Sequence, residues 1–355
     1  MTNPHVVIVS NDVIPGSGMP VAAPGLRAYG LAQGLKAHGD QAEIVVVSAP
    51  VDRQWQGDMP PPTTPGAMVL PTETLPDYLD SRRPVVVVIT NSNQIDHIPE
   101  GPDVSVVLDF FAPKMLELTY RDDELDIEAF RFLRERKKRA IERADAYIVN
   151  GHKKVPYFLA WIIQADRDLR TTELGVVPMG VPSKFIDKEP SGPVKLVNAG
   201  YLQGWSQHGK WMDVLRQVLD NGGFELHALT PPHWGRPVDL VSEVAEELGA
   251  HPAVRTYDAL RFEDFQDFLA RADVSVDLFD WSWEREYAMV TRTVVALACG
   301  VPVIHPPFTE VSPIIAEYDA GWLVDPDDEQ GFESTLKSLV NDPGEIARKA
   351  ANARA

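Results

Sequence analysis

Residues 284–305 read EREYAMVTRTVVALACGVPVIH, and this stretch decides the fold of the second half of the chain. A short apolar run rich in β-branched residues, 274–278, precedes it and predicts a buried strand. A loop with tryptophan and acidic residues follows, and then a short helix is predicted over 291–298. Gly300 stands just after that helix, where a left-handed turn favours glycine, and 301–304 predicts the next strand. Strand, loop, helix, glycine and strand together form a βαβ unit.

The loop and first helical turn of this unit, residues 284–293, are the expected site of an anionic ligand. In open α/β sheets, ligands bind beyond the carboxyl ends of the strands and close to helix N-termini. Thr291 and Thr293 are the candidates for the residue that caps the helix. Arg292 lies in the same turn, where a cation can meet a diphosphate.

The segment 296–304, ALACGVPVI, resembles the EAMACGVPVV signature of GT-B glycosyltransferases. The resemblance is strongest to the retaining family-4-type (group 1) enzymes, which include glycogen synthases and many bacterial transferases. In that family a glutamate, seven further residues and a second glutamate precede the signature. Here the second position is Val295, and the first is Tyr287 with Glu286 beside it. Because the family's second glutamate binds ribose and a valine side chain cannot accept a hydrogen bond, either another residue binds the ribose or donor binding is altered.

The bulk composition indicates a globular protein with more than one domain. The chain has 355 residues, which is too long for one ordinary core. We expect neither a membrane span nor a signal peptide, because the apolar runs are short and no basic segment precedes the stretch 6–9. The formal net charge of −19 disfavours non-specific binding to nucleic acid. The single cysteine, Cys299, excludes an internal disulfide and suits the cytoplasm.

The N-terminal half opens with another βαβ pattern. The run 5–10 predicts a strand, a loop with Gly16 and Gly18 follows, 24–38 has helical apolar spacing, and 42–47 predicts the next strand. This opening is similar to that of GT-B transferases, which implies that the two glycines let the loop approach a sugar or an acceptor closely. An ordinary βα turn is the alternative, because paired glycines are common in turns.

Asp109 and His152 are two further candidates for the acceptor side. Asp109 ends the strand predicted at 104–109, so its carboxylate can serve an acceptor or, as we favour, cap a helix or accept hydrogen bonds. His152 follows the strand predicted at 146–150 in a polar turn. It is a candidate to face the cleft, although a lone histidine in a turn is more often structural or exposed.

The helix predicted over 127–143 is rich in basic residues. A solvated helix face is the main interpretation of this pattern. The alternative is a weak peripheral contact of residues 131–143 with an anionic membrane or a lipid-linked acceptor. Many members of the similar family are peripheral membrane enzymes, so the second interpretation places a cytoplasmic protein at the inner face of the membrane.

Two Rossmann-like domains that face each other across a cleft, an α/β architecture of the GT-B type, are the predicted fold class. Residues 1–187 form the predicted N-terminal domain on the acceptor side, and residues 194–340 form the C-terminal domain on the donor side. The segment between them is rich in proline, glycine and charge, as an interdomain connection requires. Residues 341–355 are predicted to form a helical tail.

The loop 200–210, GYLQGWSQHGK, occupies the position of the family's GRLxxxKG element, whose arginine and lysine hold the nucleotide diphosphate. Lys210 is the candidate for that lysine, whereas the loop contains no arginine. The resemblance implies that Arg292 and Lys210 stabilise the leaving group and that Glu286 lies near the transferred sugar. Donor binding is expected at Gly200, Tyr201, Met289, Val290, Thr291 and Thr293.

The function implied by the resemblance is transfer of a sugar from a nucleotide-sugar donor to a saccharide, lipid-linked or natural-product acceptor. Retention of configuration and a role in cell-surface polysaccharide or secondary-metabolite synthesis are further expectations. We expect no cofactor, no metal and no nucleic-acid partner, because GT-B enzymes generally need no metal and no His/Asp/Cys cluster has metal-ligand spacing.

Val295 keeps other functions open. One is a GT-B protein that has lost transfer and serves as a partner or activator subunit, and another is a GT-B sugar epimerase. A phosphorylase would need a lysine-bound pyridoxal phosphate, and the sequence contains no specific signal for one. A nicotinamide dehydrogenase is disfavoured because the G-x-G-x-x-G pattern is absent.

Overall fold

The structure, a computed structural model, describes residues 4–47, 64–121, 124–187, 192–199, 211–230 and 249–355. These residues divide into two compact units. The first takes the residues up to Val181 together with Tyr287–Met289, and the second takes the rest from Pro182 onward. The sequence predicts the connection within 186–193, of which 188–191 lies outside the described residues.

Within the described residues, the first unit contains a parallel sheet of seven strands. In chain order these are β1 (His5–Ser10), β2 (Ala42–Val47), β3 (Ala67–Leu70), β4 (Val85–Ile89), β5 (Val104–Asp109), β6 (Ala146–Val149) and β7 (Leu174–Val176). Across the sheet the order is β3-β2-β1-β4-β5-β6-β7. The valine and isoleucine runs of the central strands are buried, because helices cover both faces of a parallel sheet.

The helices of the first unit have identifiable start and stop signals. They are α1 (Ala23–His38), α2 (Leu75–Asp80), α3 (Lys114–Arg121), α4 (Ile127–Arg143) and α5 (Val155–Gln164). Asp126 caps α4, since its carboxylate accepts from the backbone N–H of Glu128 and of Ala129 at 3.1 and 2.9 Å. Gly39 ends α1 with φ of 97°, a left-handed conformation that glycine adopts without strain.

The second unit repeats the pattern with a parallel sheet of six strands among its described residues. They are β8 (Val194–Asn198), β9 (Phe224–Leu229), β10 (Val254–Tyr257), β11 (Val274–Val276), β12 (Val303–His305) and β13 (Gly321–Leu323), in the spatial order β10-β9-β8-β11-β12-β13. The helices are α6 (Trp211–Asp220), α7 (Phe262–Ala270), α8 (Trp283–Tyr287), α9 (Thr291–Ala298), α10 (Ser312–Tyr318), α11 (Glu329–Asn341) and α12 (Pro343–Ala353). The predicted α/β class is therefore confirmed.

Each sheet has one point where the strand order reverses. In the first unit it lies between β1 and β4, and in the second between β8 and β11. In doubly wound sheets the loops at such a point diverge and leave a crevice beyond the carboxyl ends of the strands, where ligands bind. These two crevices are the places in which a site is expected.

The structure differs from the sequence-based predictions at the start of α9 and at residues 67–70. Neither threonine caps α9, because the residue before the helix is Val290 and no side chain caps it. The proline-rich stretch 50–84 predicts an irregular loop, but residues 67–70 form β3, a short and largely exposed edge strand whose four residues give no periodic signal. The sequence also predicts a helix near residues 239–248, and this segment lies outside the described residues.

A buried ion pair joins α1 to the end of β5 in the first unit. Arg27 donates from Nε to Asp109 Oδ2 at 2.7 Å and from Nη2 to Oδ1 at 3.2 Å. Its Nη1 donates to the carbonyls of Val177 and Pro178 at 2.7 and 2.9 Å. Both side chains are buried, and four of the five guanidinium N–H groups of Arg27 make hydrogen bonds in this bidentate arrangement.

Replacing Arg27 with leucine is expected to destabilise the protein by about 3 kcal/mol, because a buried carboxylate loses its partner. Urea unfolding followed by circular dichroism measures this change. The matched control is Arg82→Leu, which removes a more exposed pair with Glu43 and should cost below about 1 kcal/mol. Equal losses in the two variants would contradict the structural role of the Arg27–Asp109 pair.

Candidate functional site

Polar side chains gather at the carboxyl ends of three neighbouring strands in the second unit. Asn198 ends β8, Asp277 directly follows β11, and His305 ends β12. All three are buried. Asn198 Nδ2 donates to the carbonyl of Val276 at 2.9 Å, which ties β8 to β11 at the point where the strand order reverses. The cluster thus lies where an open α/β sheet binds its ligand.

The Asp277 carboxylate connects β11 to the first turn of α9. Its Oδ1 accepts from Arg292 Nε at 2.7 Å, and its Oδ2 accepts from the Thr293 hydroxyl. Burial by itself raises the pKa of the Asp277 carboxyl. The charge of Arg292 is the largest opposing effect, and with the neighbouring His305 and the hydrogen bonds from Thr293 and Arg292 it holds the pKa of Asp277 below its ordinary value. Asp277 is therefore an anion that orients Arg292.

His305 extends the cluster toward α10. Its Nε2 lies 2.8 Å from Thr309 Oγ1, and Thr309 Oγ1 lies 3.0 Å from Ser312 Oγ. Burial lowers the pKa of His305 to about 4, although the nearby Asp277 charge opposes that shift. The imidazole is consequently neutral near pH 7, and it supports the carboxylate through packing and hydrogen bonding.

The N-terminus of α9 is open to an anion in two respects. It has no capping side chain and no acidic residue in its first turn. Thr293, one of the predicted caps, instead uses its hydroxyl for Asp277. Arg292 is about one-fifth exposed, and its terminal amino groups have no hydrogen-bond partner among the described residues. A helix N-terminus with an oriented arginine beside it favours a phosphate-like ligand.

The three other predicted donor residues of this segment lead into that turn. Met289 is half-buried, Val290 is buried and immediately precedes α9, and Thr291 is the first helical residue. Gly200, Tyr201 and Lys210, predicted in the loop after β8, lie outside the described residues. The structure therefore brings Arg292 and Thr293 together at Asp277, and it does not describe Lys210.

Glu286, the predicted carboxylate near the transferred sugar, lies on α8 and is partly exposed. Its Oε2 accepts a hydrogen bond from Trp281 Nε1 at 3.0 Å. The preceding residues of α8 point inward instead, since Glu284 and Arg285 are buried and paired at 3.3 Å.

In the first unit, the loop between β1 and α1 holds the two predicted glycines. Gly16 and Gly18 have φ of 89° and 72°, and a Cβ placed on either meets no atom within 4 Å. The left-handed backbone is therefore sufficient reason for glycine at both positions. The same loop contains a residue that the sequence analysis missed, Asp12, whose Oδ2 accepts from the Ala22 N–H at 2.6 Å. Burial raises the pKa of Asp12 to about 7.

Asp109 and His152 are not brought together. The Asp109 carboxylate is taken up by Arg27, which is the hydrogen-bonding role favoured above. His152 is exposed in the turn before α5. Beside it, Lys154 is fully buried and donates from Nζ to Asn150 Oδ1 at 2.5 Å and to the Phe111 carbonyl at 3.0 Å.

Comparison with known proteins gives structural matches alone: no family model and no curated protein sequence matches the chain. Sucrose-phosphate synthase from Thermosynechococcus elongatus matches with a TM-score of 0.67 and 13% identity, over 99% of this chain and 93% of that one. Anabaena Alr3699/HepE in complex with UDP and glucose matches with a TM-score of 0.64 and 14% identity, over 99% and 94% of the two chains. An α-glucosyltransferase in complex with UDP and a 13-mer DNA matches with a TM-score of 0.66 and 10% identity, over 99% and 94%.

The chain has the GT-B fold. These structural matches confirm the predicted resemblance at the level of the fold. Because the sequence identities are this low, they do not settle which reaction the chain catalyses.

The GT-B fold makes the departure at Val295 easier to interpret. Val295 is buried in α9 and contributes to the core of the second unit, so no carboxylate stands at this turn of the helix. A buried carboxylate does occur nearby in the chain at Glu310, in the loop between β12 and α10. The sequence analysis missed Glu310 because an isolated glutamate in a loop carries no distinguishing pattern.

Among the described residues of this GT-B chain, no group of three or more His, Cys, Asp or Glu side chains is arranged to hold a metal ion. Within the same residues, no helix combines the length and the apolar character needed to cross a membrane.

The buried neutral His305 predicts a pH dependence of stability. Its folded pKa is about 4 against an ordinary 6.5, so the unfolded chain binds the proton first as the pH falls. The contribution of His305 to stability is therefore complete above pH 6.5 and falls by about 3 kcal/mol between pH 6.5 and about 4, whereas Asp12, with its folded pKa raised to about 7, contributes a slope of opposite sign in this range. Urea titrations across this range measure it. His305→Gln, which cannot take up the proton, should lose less stability over the window, and an unchanged pH slope would contradict the assignment.

Proposed function

We propose that the protein is a glycosyltransferase that moves a sugar from a nucleotide-sugar donor to an acceptor. The observation that carries the proposal is Arg292, held by Asp277 at the uncapped N-terminus of α9, where the strand order of the second unit reverses. The UDP bound to two of the similar proteins agrees with a nucleotide diphosphate as the ligand. The acceptor in this proposal is a saccharide, a lipid-linked sugar or a small molecule.

The chemistry required of this site is stabilisation of a leaving diphosphate. As the bond from the sugar to the diphosphate breaks, negative charge accumulates on the phosphate oxygens. The N-terminus of α9 carries a partial positive charge of about half a unit, and Arg292, whose charge is balanced by Asp277, offers its terminal N–H groups to the phosphate oxygens. Since Asp277 already fixes the arginine, no reorganisation is required when the charge develops. Lys210, Gly200 and Tyr201 are proposed to complete the donor site from the loop after β8.

Glu286 is proposed to lie near the transferred sugar, and the reaction is proposed to retain configuration. On the acceptor side, the β1–α1 loop with Gly16 and Gly18 remains the best candidate. Its neighbour Asp12 adds a carboxyl whose elevated pKa permits proton exchange near neutral pH. The proposed setting is the cytoplasm, in the synthesis of a cell-surface polysaccharide or a secondary metabolite.

Peripheral membrane contact through the basic helix α4 has less support than the cytoplasmic setting itself. Arg136 and Arg139 in α4 both bind Asp96, at 3.0 and 2.8 Å, and Lys137 is buried. Much of the positive charge of α4 is thus compensated within the protein. A solvated helix face accounts for these contacts, so binding to anionic vesicles is expected to be weak.

Nucleotide binding to the second unit is the central test. UDP, GDP and dTDP should be screened by thermal shift, and at least one should raise the melting temperature because it binds the folded state. Arg292→Ala should abolish the shift. Arg292→Lys keeps a positive charge and should retain part of it.

The control is Arg216→Ala, which removes a partly exposed arginine of the same unit, from α6, and should leave the shift unchanged. Each variant is compared with its own melting temperature without nucleotide, so a change in stability does not imitate lost binding. Absence of a shift with all three nucleotides would overturn the proposal.

Metal independence follows from the same mechanism. If Arg292 and the α9 N-terminus neutralise the diphosphate, turnover of the active nucleotide sugar should persist in the presence of EDTA. A sugar-release assay with and without added Mg²⁺ measures this. A loss of activity of tenfold or more on chelation, restored by Mg²⁺, would show that a cation takes the place assigned to Arg292.

A second candidate function is favoured by Val295. Without the glutamate that binds ribose in the similar family, the chain is a candidate for a GT-B protein that binds a donor and acts as a partner or activator subunit. Nucleotide binding that depends on Arg292, together with no hydrolysis or transfer of any nucleotide sugar, would favour this function over transfer.

A further inference from the structure

Two exposed tryptophans lie close together in the second unit, Trp281 in the loop after β11 and Trp283 at the first residue of α8. Trp281 and Trp283 are each 49% exposed, although tryptophan is on average one of the most buried residue types. Their ring centroids are 4.9 Å apart and their planes meet at 67°. The two indoles therefore form a corner, which we call the Trp281–Trp283 platform.

The platform is held on a well-anchored segment. Behind it, Arg285 lies 4.8 Å above the ring of Phe279, which is fully buried. The Ser282 carbonyl accepts from the Glu286 N–H at 2.9 Å, and the Ser282 hydroxyl accepts from the Arg285 N–H at 3.2 Å. These contacts fix the backbone from which the indoles project, so their exposure is not a consequence of a loosely packed loop.

Glu286 orients one of the two indoles and adds a polar group beside it. Its Oε2 accepts from Trp281 Nε1 at 3.0 Å, which fixes the ring and leaves the carboxylate beside the aromatic corner. An aromatic face next to a hydrogen-bond acceptor matches a pyranose ring, because the axial C–H groups of a sugar stack on the face while its hydroxyls donate to the carboxylate.

The charge of the segment selects against phosphate-bearing ligands. Residues 280–286 read DWSWERE and carry three carboxylates against one arginine. That arginine is buried against Glu284. A nucleotide placed on the platform would bring its phosphates toward this excess of negative charge, whereas a neutral sugar would not.

We propose that the Trp281–Trp283 platform binds a neutral saccharide, with Glu286 accepting hydrogen bonds from its hydroxyls. The site is distinct in chemistry from the α9 N-terminus, which suits an anion. The proposal rests on the proposed function in one respect: only if the protein is a glycosyltransferase would the saccharide bound here be part of its acceptor or donor sugar. Saccharide binding itself does not require transfer.

The experiment is saturation-transfer difference NMR of the full chain, without nucleotide, against four neutral trisaccharides: maltotriose, cellotriose, chitotriose and mannotriose. At least one should give a saturable signal. Trp281→Ala and Trp283→Ala should each weaken that binding about tenfold, whereas Trp281→Phe should retain part of it. Tyr318→Ala is the matched control, because Tyr318 is an equally exposed aromatic residue at the far end of α10.

The proposal is overturned if none of the four trisaccharides binds, or if both alanine variants bind like the wild type. It is also overturned if the tryptophans instead govern binding to phosphatidylcholine–phosphatidylglycerol vesicles or to UDP. Measuring UDP binding on the same samples separates the two proposals. If UDP binds and no saccharide binds, only the proposed saccharide platform is overturned. If a saccharide binds and UDP does not, only the proposed donor site is overturned.

Discussion

The second unit depends on one buried ion pair, between Asp277 at the end of β11 and Arg292 in the first turn of α9. A carboxylate buried at a strand end is costly unless it is paired and hydrogen-bonded, and Arg292 and Thr293 provide both. Because two contacts come from consecutive residues of α9, the pair fixes the rotation of the helix as well as its position. The direction in which the α9 N-terminus points is therefore set by Asp277.

The first unit contains a corresponding pair that has a different consequence. Asp109 ends β5 as Asp277 follows β11, and it too binds an arginine from a helix. Arg27, however, is fully buried, and its Nη1 is used by the Val177 and Pro178 carbonyls. The side chain of Arg292 is 22% exposed, and only its Nε is used by Asp277. The same pairing is structural where the guanidinium is saturated and is suited to ligand binding where it is not.

What the sequence could predict follows from which signals are local. Strand, helix and glycine around residues 284–305 were predictable because β-branched runs, helix length and the left-handed turn at Gly300, with φ of 70°, each involve neighbouring residues. Arg292 was predictable as a cation at a helix start. Its partner Asp277 was not singled out, because 15 residues separate the two and only folding brings them together. Thr293 was expected to cap α9, but the tertiary contact with Asp277 takes its hydroxyl.

The exposure of the two tryptophans was equally impossible to predict from the sequence, because a tryptophan near a loop can be either buried or exposed. The fold resolves this ambiguity, because Glu284 and Arg285 are buried while Trp281 and Trp283 are each about half exposed and Glu286 is partly exposed. The result is a division of charge within one short segment of chain. Arg292, of which Asp277 uses only the Nε, and a helix N-terminus follow an acidic aromatic corner within about ten residues. A nucleotide sugar has the same division, with a charged diphosphate at one end and a neutral ring at the other. This correspondence supports the proposed nucleotide-sugar donor, although Val295 stands where the signature that the sequence resembles has a glutamate.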